Sequence, residues 1–236
     1  MKSYIAAVMS VFLGCHVTPF MACDVSACDG DSVACVAGKA GCQPADTSVV
    51  LPAEGDLLFC VSPAANAITD VTAGIDSLLI DHVGVFAHID GRASVIEALP
   101  GRGVCITPVD TFVARRISGD GTMAPVLVGR VTGSVDIGAS LNEVLRFVGC
   151  GYDSLYLPGN REIYCSELVQ LSYVDSLGRQ VFGTVPMTFR DVSGHIPEMW
   201  TRFYARHGME VPEGWPGSNP GEMSRRKNVR IVRRLW

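Results

Sequence analysis

From residue 54 onward, apolar and polar positions fall into blocks with clear punctuation between them. After Glu54-Gly55-Asp56, the unbroken apolar run 57–61 predicts a buried strand. Ser62-Pro63 offers an N-cap and a first-turn proline, so a helix is expected through Ala67, Ile68 and Val71 to about Gly74. The most strand-like stretch is 82–89. With Asp90-Gly91 and the run 94–99 it predicts a hairpin closed by a two-residue turn. Further strands are expected at 103–109 and 126–132, separated by a polar, glycine-containing loop. Ser140 and Glu143 have capping-box spacing for a helix over 141–148, stopped by Gly149 and Gly151. A second helix should start close to Cys165 and run through Leu168, Leu171 and Val174 to Gly178. A third lies between Pro197 and Gly208, with Met199, Trp200, Phe203 and Tyr204 on its buried face. The prolines and glycines of 211–221 predict an extended surface run, and 229–236 an edge strand.

The first fifty residues read differently. Lys2 precedes an apolar run over 4–13 that is too short to span a bilayer and has a signal-peptide layout, which predicts export to a bacterial envelope and a targeting segment over 1–22. Phe12-Leu13-Gly14-Cys15 has the form of an imperfect lipoprotein box, so the mature chain either begins at a lipidated, membrane-anchored Cys15 or is cut before Cys23 without lipidation. Cys23, Cys28, Cys35 and Cys42 fall in a leader over 23–50 with no Cys-x-x-Cys pair and no histidine, which argues against zinc. In an oxidising envelope they are expected to form two disulfides, and in an anaerobic host to stay as thiols. One catalytic domain over 51–236 then remains, of a size that buries a single core.

Charge narrows the partners. The formal net charge is -5, from 19 basic and 24 acidic residues. Arg225, Arg226, Lys227, Arg230, Arg233 and Arg234 crowd the C-terminal end, and without them 13 basic residues face 24 acidic ones, a balance of -11. An acidic body behind a short basic tail is a poor nucleic-acid binder. The tail reads as a solvated terminus or as a contact for anionic lipid or envelope polymer.

The candidate chemistry centres on Cys165, in Ile163-Tyr164-Cys165-Ser166-Glu167-Leu168-Val169. A cysteine in the first turn of a helix meets the positive end of the macrodipole, which favours thiolate, and free backbone N–H groups that can receive an oxyanion. A base is the second requirement. Strand alternation puts His82, Gly84, Phe86 and His88 on one face. If Asp90-Gly91 is a two-residue turn, Ile89 pairs with Arg92 and Glu97 falls opposite Gly84, which makes it the diagonal neighbour of His82 at roughly 7 to 8 Å between backbones. A carboxylate amid Val95, Ile96, Ala98 and Leu99 is costly to bury without such a partner. One residue more in the loop would turn Glu97 to the opposite face. His88 is the competing base on that face, whereas His195 and His207 fall in loop and helix-end settings.

These pieces together resemble a known family. Gly55-Asp56-Leu57-Leu58-Phe59, His82-Val83-Gly84-Val85, Glu97, and Tyr152-Asp153 leading to Tyr164-Cys165-Ser166-Glu167-Leu168-Val169 are similar to the YiiX/YebB-like branch of the NlpC/P60 superfamily of circularly permuted papain-fold cysteine hydrolases. Val211-Pro212-Glu213-Gly214, Pro216-Gly217 and Asn219-Pro220-Gly221 resemble its closing stretch, so the likeness spans about 54–225. It implies an α+β fold, a mainly antiparallel sheet packed against helices that include the nucleophile helix. The order histidine, acid, cysteine follows His82, Glu97 and Cys165. By resemblance, Cys165 is the nucleophile, His82 the base and Glu97 its orienter. The expected reaction is hydrolysis of an amide or ester through a thioester on Cys165, with a wall peptide or amino-acid amide as the substrate expected by analogy. Rival readings are an acyltransferase or N-acyl and lipid hydrolase of the same fold, and a non-catalytic envelope binding protein. The Cys165 N–H is one expected oxyanion donor, with Tyr164 or Tyr152 as candidates for the second. No metal or organic cofactor is implied, and a monomer is expected.

Overall fold

Eight strands and five helices follow one another in the computed structural model, which describes residues 52–235. In chain order these are β1 (Leu57–Val61), β2 (Ile80–Ile89), β3 (Arg92–Leu99), β4 (Gly103–Pro108), α1 (Val109–Ala114) and β5 (Val126–Val131). They continue with α2 (Ile137–Arg146), α3 (Cys165–Ser172), β6 (Val185–Pro186), α4 (Glu198–Arg206), β7 (Pro216–Gly217), α5 (Pro220–Ser224) and β8 (Val229–Leu235). The signal-like segment, the Cys15 motif, the leader boundary and the four leader cysteines lie outside the described residues.

Among the described residues, six strands form one antiparallel sheet in the order β4-β3-β2-β1-β5-β8. β1 lies between β2 and β5 with both faces covered, which is why its five residues are all apolar and buried. On one face, Leu57, Phe59, Val83, Val85 and Ile96 pack with Leu168 and Val169 of α3 and Val144 of α2. Side chains of this kind contribute roughly 1.5–3 kcal/mol each when fully buried. On the other face, Leu58, Cys60, Phe86, Val95 and Val128 gather around Phe112 of α1. The Gly55-Asp56 pair anchors β1. The buried Asp56 carboxylate accepts from Arg130 Nε at 2.9 Å and Nη2 at 2.7 Å, and Tyr173 donates its hydroxyl to the Gly55 carbonyl at 2.7 Å.

The hairpin has the register expected from its turn. Asp90 and Gly91 both take left-handed φ (51° and 76°), as a type I′ turn requires, and Ile89 pairs with Arg92. Several helices differ from expectation. None forms after Ser62-Pro63, because Asn66 Oδ1 captures the backbone N–H groups of Ile68 and Thr69 while its amide donates to Asp81, which holds that segment in turns. α2 starts earlier than the Ser140 spacing suggests. Asp136 is its cap, accepting from Ala139 N, and Ser140 sits inside the helix with its hydroxyl on the Asp136 carbonyl. α3 stops at Ser172, before Val174. The polar loop after β4 opens with α1.

The 211–221 stretch is not wholly extended. β7 pairs with β6, and Asn219 caps α5 by accepting from Gly221 N and Glu222 N. The basic C-terminal residues are part of the fold rather than a tail beyond it. Arg226 is paired with Glu222 on α5, and Arg230, Arg233 and Arg234 lie on the edge strand β8.

Candidate active site

Cys165 is the first residue of α3, following Tyr164, whose extended backbone is the N-cap. Nothing in the Tyr164 side chain caps the helix; instead Glu167, three residues on, accepts from the Tyr164 backbone N–H. The first-turn N–H groups of a helix lack intrahelical partners, so they can receive a substrate oxygen as it gathers charge. Ser166 and Glu167 are buried rather than solvated. The Ser166 hydroxyl accepts from Ser218 at 3.1 Å, which ties the nucleophile helix to the closing segment of the chain. Glu167 Oε2 has no hydrogen-bond partner among the described residues; burial raises its pKa to about 7 and the nearby Asp153 adds to the shift.

His82 and Glu97 are brought together across the β2–β3 ladder. His82 Nε2 stands 2.8 Å from Glu97 Oε2, with the histidine side chain 18% exposed and the glutamate fully buried. A β-bulge at the Cys60–His82 position interrupts the β1–β2 pairing, and a bulge of this kind re-aims the side chain beside it. Gly84 makes the contact possible, since a Cβ there would collide with Val95 and come within 3.3 Å of Glu97 Cβ. Two further residues hold the carboxylate. Arg115, just past α1, donates to Glu97 Oε1, and Thr107 of β4 hydrogen-bonds the same group. Burial alone would raise the Glu97 pKa, but His82, Thr107 and Arg115 together bring it below the ordinary value.

The imidazole has a second partner, the Cys165 side chain. With Nε2 committed to Glu97, Nδ1 is the ring nitrogen left for sulfur. Burial disfavours the imidazolium, but the hydrogen bonds and charges of Cys165 and Glu97 outweigh it and raise the His82 pKa to about 9. Of the three residues singled out from the sequence, His82 and Glu97 are thus in direct contact, and Cys165 acts on the same imidazole from the start of α3. The other histidines are elsewhere. His88 pairs with Glu54 at 2.5 Å on the surface, His195 contacts Ser193, and His207 lies against Phe203. Arg115 and Thr107 were not foreseen. Thr107 had a signal, because extending the register one strand further puts it diagonal to Glu97.

Two cavities flank the pair. One, of about 230 Å³, opens on Cys165 and is walled by Val71, Val185, Met187, Phe189 and Trp200. The other, of about 480 Å³, opens on His82 and Glu97 and carries Asp81, Arg115 and Arg116. Tyr152 and Tyr156 line both, and their hydroxyls hydrogen-bond each other. Tyr156 has a left-handed φ of 53°, costly for an aromatic residue. It is held there between Tyr164 and Trp200, by ring contacts at 5.3 and 6.1 Å, and by the buried Asp153, which accepts from Leu155 N and Leu157 N. Burial raises the Tyr152 pKa strongly, and negative charge on Cys165 raises it further. Of the two candidate oxyanion donors, Tyr164 accepts from Ser218 N at 3.0 Å and directs its own proton to Met187 Sδ at 3.9 Å.

Comparison with known proteins bears on the family and the fold. Residues 52–232 match the family described as permuted papain-like amidase enzymes, YaeF/YiiX, C92 family. A crystal structure of yiiX from Escherichia coli O157:H7, described as a metalloprotein, superposes with a TM-score of 0.61 at 23% identity, covering 78% of this chain and 98% of that one. At that identity the likeness bears on the fold. None of the curated proteins compared with the chain matches it. Among the described residues no three His, Cys, Asp or Glu side chains form a cluster that could hold a metal.

Proposed function

The chain belongs to the permuted papain-like amidase family, and we propose that it is a cysteine hydrolase in which Cys165, His82 and Glu97 cleave an amide or ester. The observation that carries this reading is the 2.8 Å contact of the His82 imidazole with the buried Glu97 carboxylate, on a ring whose pKa the Cys165 side chain also raises. The raised His82 pKa, about 9, favours the imidazolium at neutral pH, a positive charge beside the proposed nucleophile.

The thiolate attacks the carbonyl carbon and the carbonyl π electrons move to oxygen. As the C–N or C–O bond breaks, the leaving group takes the proton from His82 and the acyl group stays on sulfur as a thioester. Water then gives a proton to the now neutral imidazole and attacks the thioester. Release of the acid restores thiolate and imidazolium. Glu97, held by Arg115 and Thr107, fixes the ring and stabilises its positive form. We assign the oxyanion to the Cys165 N–H and to the Tyr152 hydroxyl, because Tyr152 lines the cavity that opens on Cys165. The signal-like N-terminus supports an enzyme that acts in the cell envelope.

The test is capture of the acyl-enzyme. The protein mixed with p-nitrophenyl acetate and quenched in acid is expected to carry one acetyl group on Cys165 that hydroxylamine removes. Persistence of that adduct in Cys165→Ser, or no adduct in the wild type, contradicts the assignment.

A further inference from the structure

The two cavities differ in chemistry, and the reaction itself decides which part of a substrate each can take. The leaving group must receive the proton of His82, so it lies on the imidazole side. The acyl group becomes bonded to sulfur, so it lies on the Cys165 side. The larger cavity touches His82 and not Cys165, and beside apolar residues such as Leu99 and Phe112 it carries Arg115, Arg116 and Asp81, the last shared with the smaller cavity. Arg116 Nε is buried there with no hydrogen-bond partner among the described residues. The smaller cavity touches Cys165 and not His82, and its walls are Ile68, Val71, Val185, Met187, Phe189 and Trp200, with Asp81, Glu222 and Arg225 also on its lining.

We infer that the substrate's acyl portion is an apolar chain or ring seated in the Cys165 cavity, and that its leaving group is polar and occupies the His82 cavity. This rests on the hydrolase reading above and specifies its substrate class. The physical reason is desolvation. A charged or strongly polar acyl group would give up water against Val71, Phe189 and Trp200, which offer it no hydrogen bond, whereas each methylene buried against them gains up to about fourfold in binding. At about 230 Å³ the cavity holds roughly eight water volumes, the scale of a six- to eight-carbon chain or a large apolar side chain. A wall peptide qualifies as substrate only where the residue contributing the scissile carbonyl is apolar.

The walls also explain segments the reaction does not use directly. β6 and β7 pair to present Val185 and Met187, Glu213 accepts from Phe189 N at 2.7 Å and so fixes the next wall residue, and α4 supplies Trp200. The closing stretch of the chain is thus part of a built pocket rather than a surface run.

The experiment measures kcat/KM for Cys165 acylation by p-nitrophenyl acetate, butyrate, hexanoate and 6-aminohexanoate. The leaving group stays constant across the series. Hexanoate is expected to react at least tenfold faster than acetate and at least tenfold faster than its charged 6-amino counterpart. In Met187→Trp, and separately in Val185→Trp, the hexanoate-to-acetate ratio should fall toward one. Acylation by acetate with no gain along the chain, or equal rates for hexanoate and 6-aminohexanoate, overturns the pocket assignment and leaves the hydrolase reading standing. Failure of every ester to acylate Cys165 overturns both.

Discussion

The imidazole of His82 and the carboxylate of Glu97 sit 2.8 Å apart across a strand diagonal, with the carboxylate wholly buried. Arg115 and Thr107 hold the carboxylate from the far side, so the ring is oriented by a group that is itself fixed. Replacing the charge while keeping the shape should therefore damage chemistry more than folding. Glu97→Gln is expected to lower kcat/KM by about 100- to 10,000-fold, the range seen when a triad acid becomes an amide. Its melting temperature should change much less than that of Glu97→Ala, and steady-state kinetics beside thermal melts separate the two effects.

Gly84 is the gap into which that diagonal contact leans. Gly84→Ala should cost about 1–3 kcal/mol by overpacking against Val95, measured by urea denaturation. It should also push Glu97 out of line and reduce activity by more than the loss of folded protein explains. Full activity in the folded variant would show that the close approach is not needed.

The pH dependence has a defined sign. The His82 pKa rises from 6.5 unfolded to about 9 folded, so its contribution to stability is complete below about 6.5 and is lost as pH rises through about 9. Melting curves from pH 6 to 10 should decline across this window, and the decline should be smaller in His82→Gln. Acylation should share an alkaline limb near 9, an apparent value that belongs to the thiol–imidazole pair.

Glu167 supplies a separate test. Its pKa rises from 4.5 to about 7, so the folded protein holds a proton that the unfolded chain has lost, and stability falls as pH climbs through that interval. Glu167→Gln keeps an acceptor for the Tyr164 N–H and removes the buried charge. It should melt higher than wild type at pH 8 and close to wild type at pH 5. A lower melting temperature at pH 8 would mean that the ionised carboxylate is stabilised by more than the Tyr164 N–H.

Much of the site was legible because it rests on local rules. The Asp90-Gly91 turn sets the register by its length and backbone sign, and register alone puts Glu97 beside His82. Cys165 could be placed at a helix start because the apolar spacing of Leu168 and Val169 follows a polar loop. What escaped depends on side chains that overrule local propensity. Asn66 takes the N–H groups that a helix after Pro63 would have used, and Asp136 caps α2 ahead of the better-spaced Ser140. Arg115 reaches Glu97 from just past α1, one strand beyond β3, and no pattern of local spacing joins them. The cavities were invisible for the same reason. Val71, Met187, Phe189 and Trp200 become one surface only after the chain has closed on itself.

The account's central claim is that one ring lies between sulfur and carboxylate and governs the state of the thiol. It is tested most directly by the rate at which labelled iodoacetamide modifies Cys165 in the folded, reduced protein between pH 5 and 10, compared with His82→Ala. Rapid labelling near neutral pH in the wild type, falling at least tenfold at pH 7 in the variant, is the predicted result. An unreactive Cys165, or a pH profile that His82→Ala leaves unchanged, would contradict it.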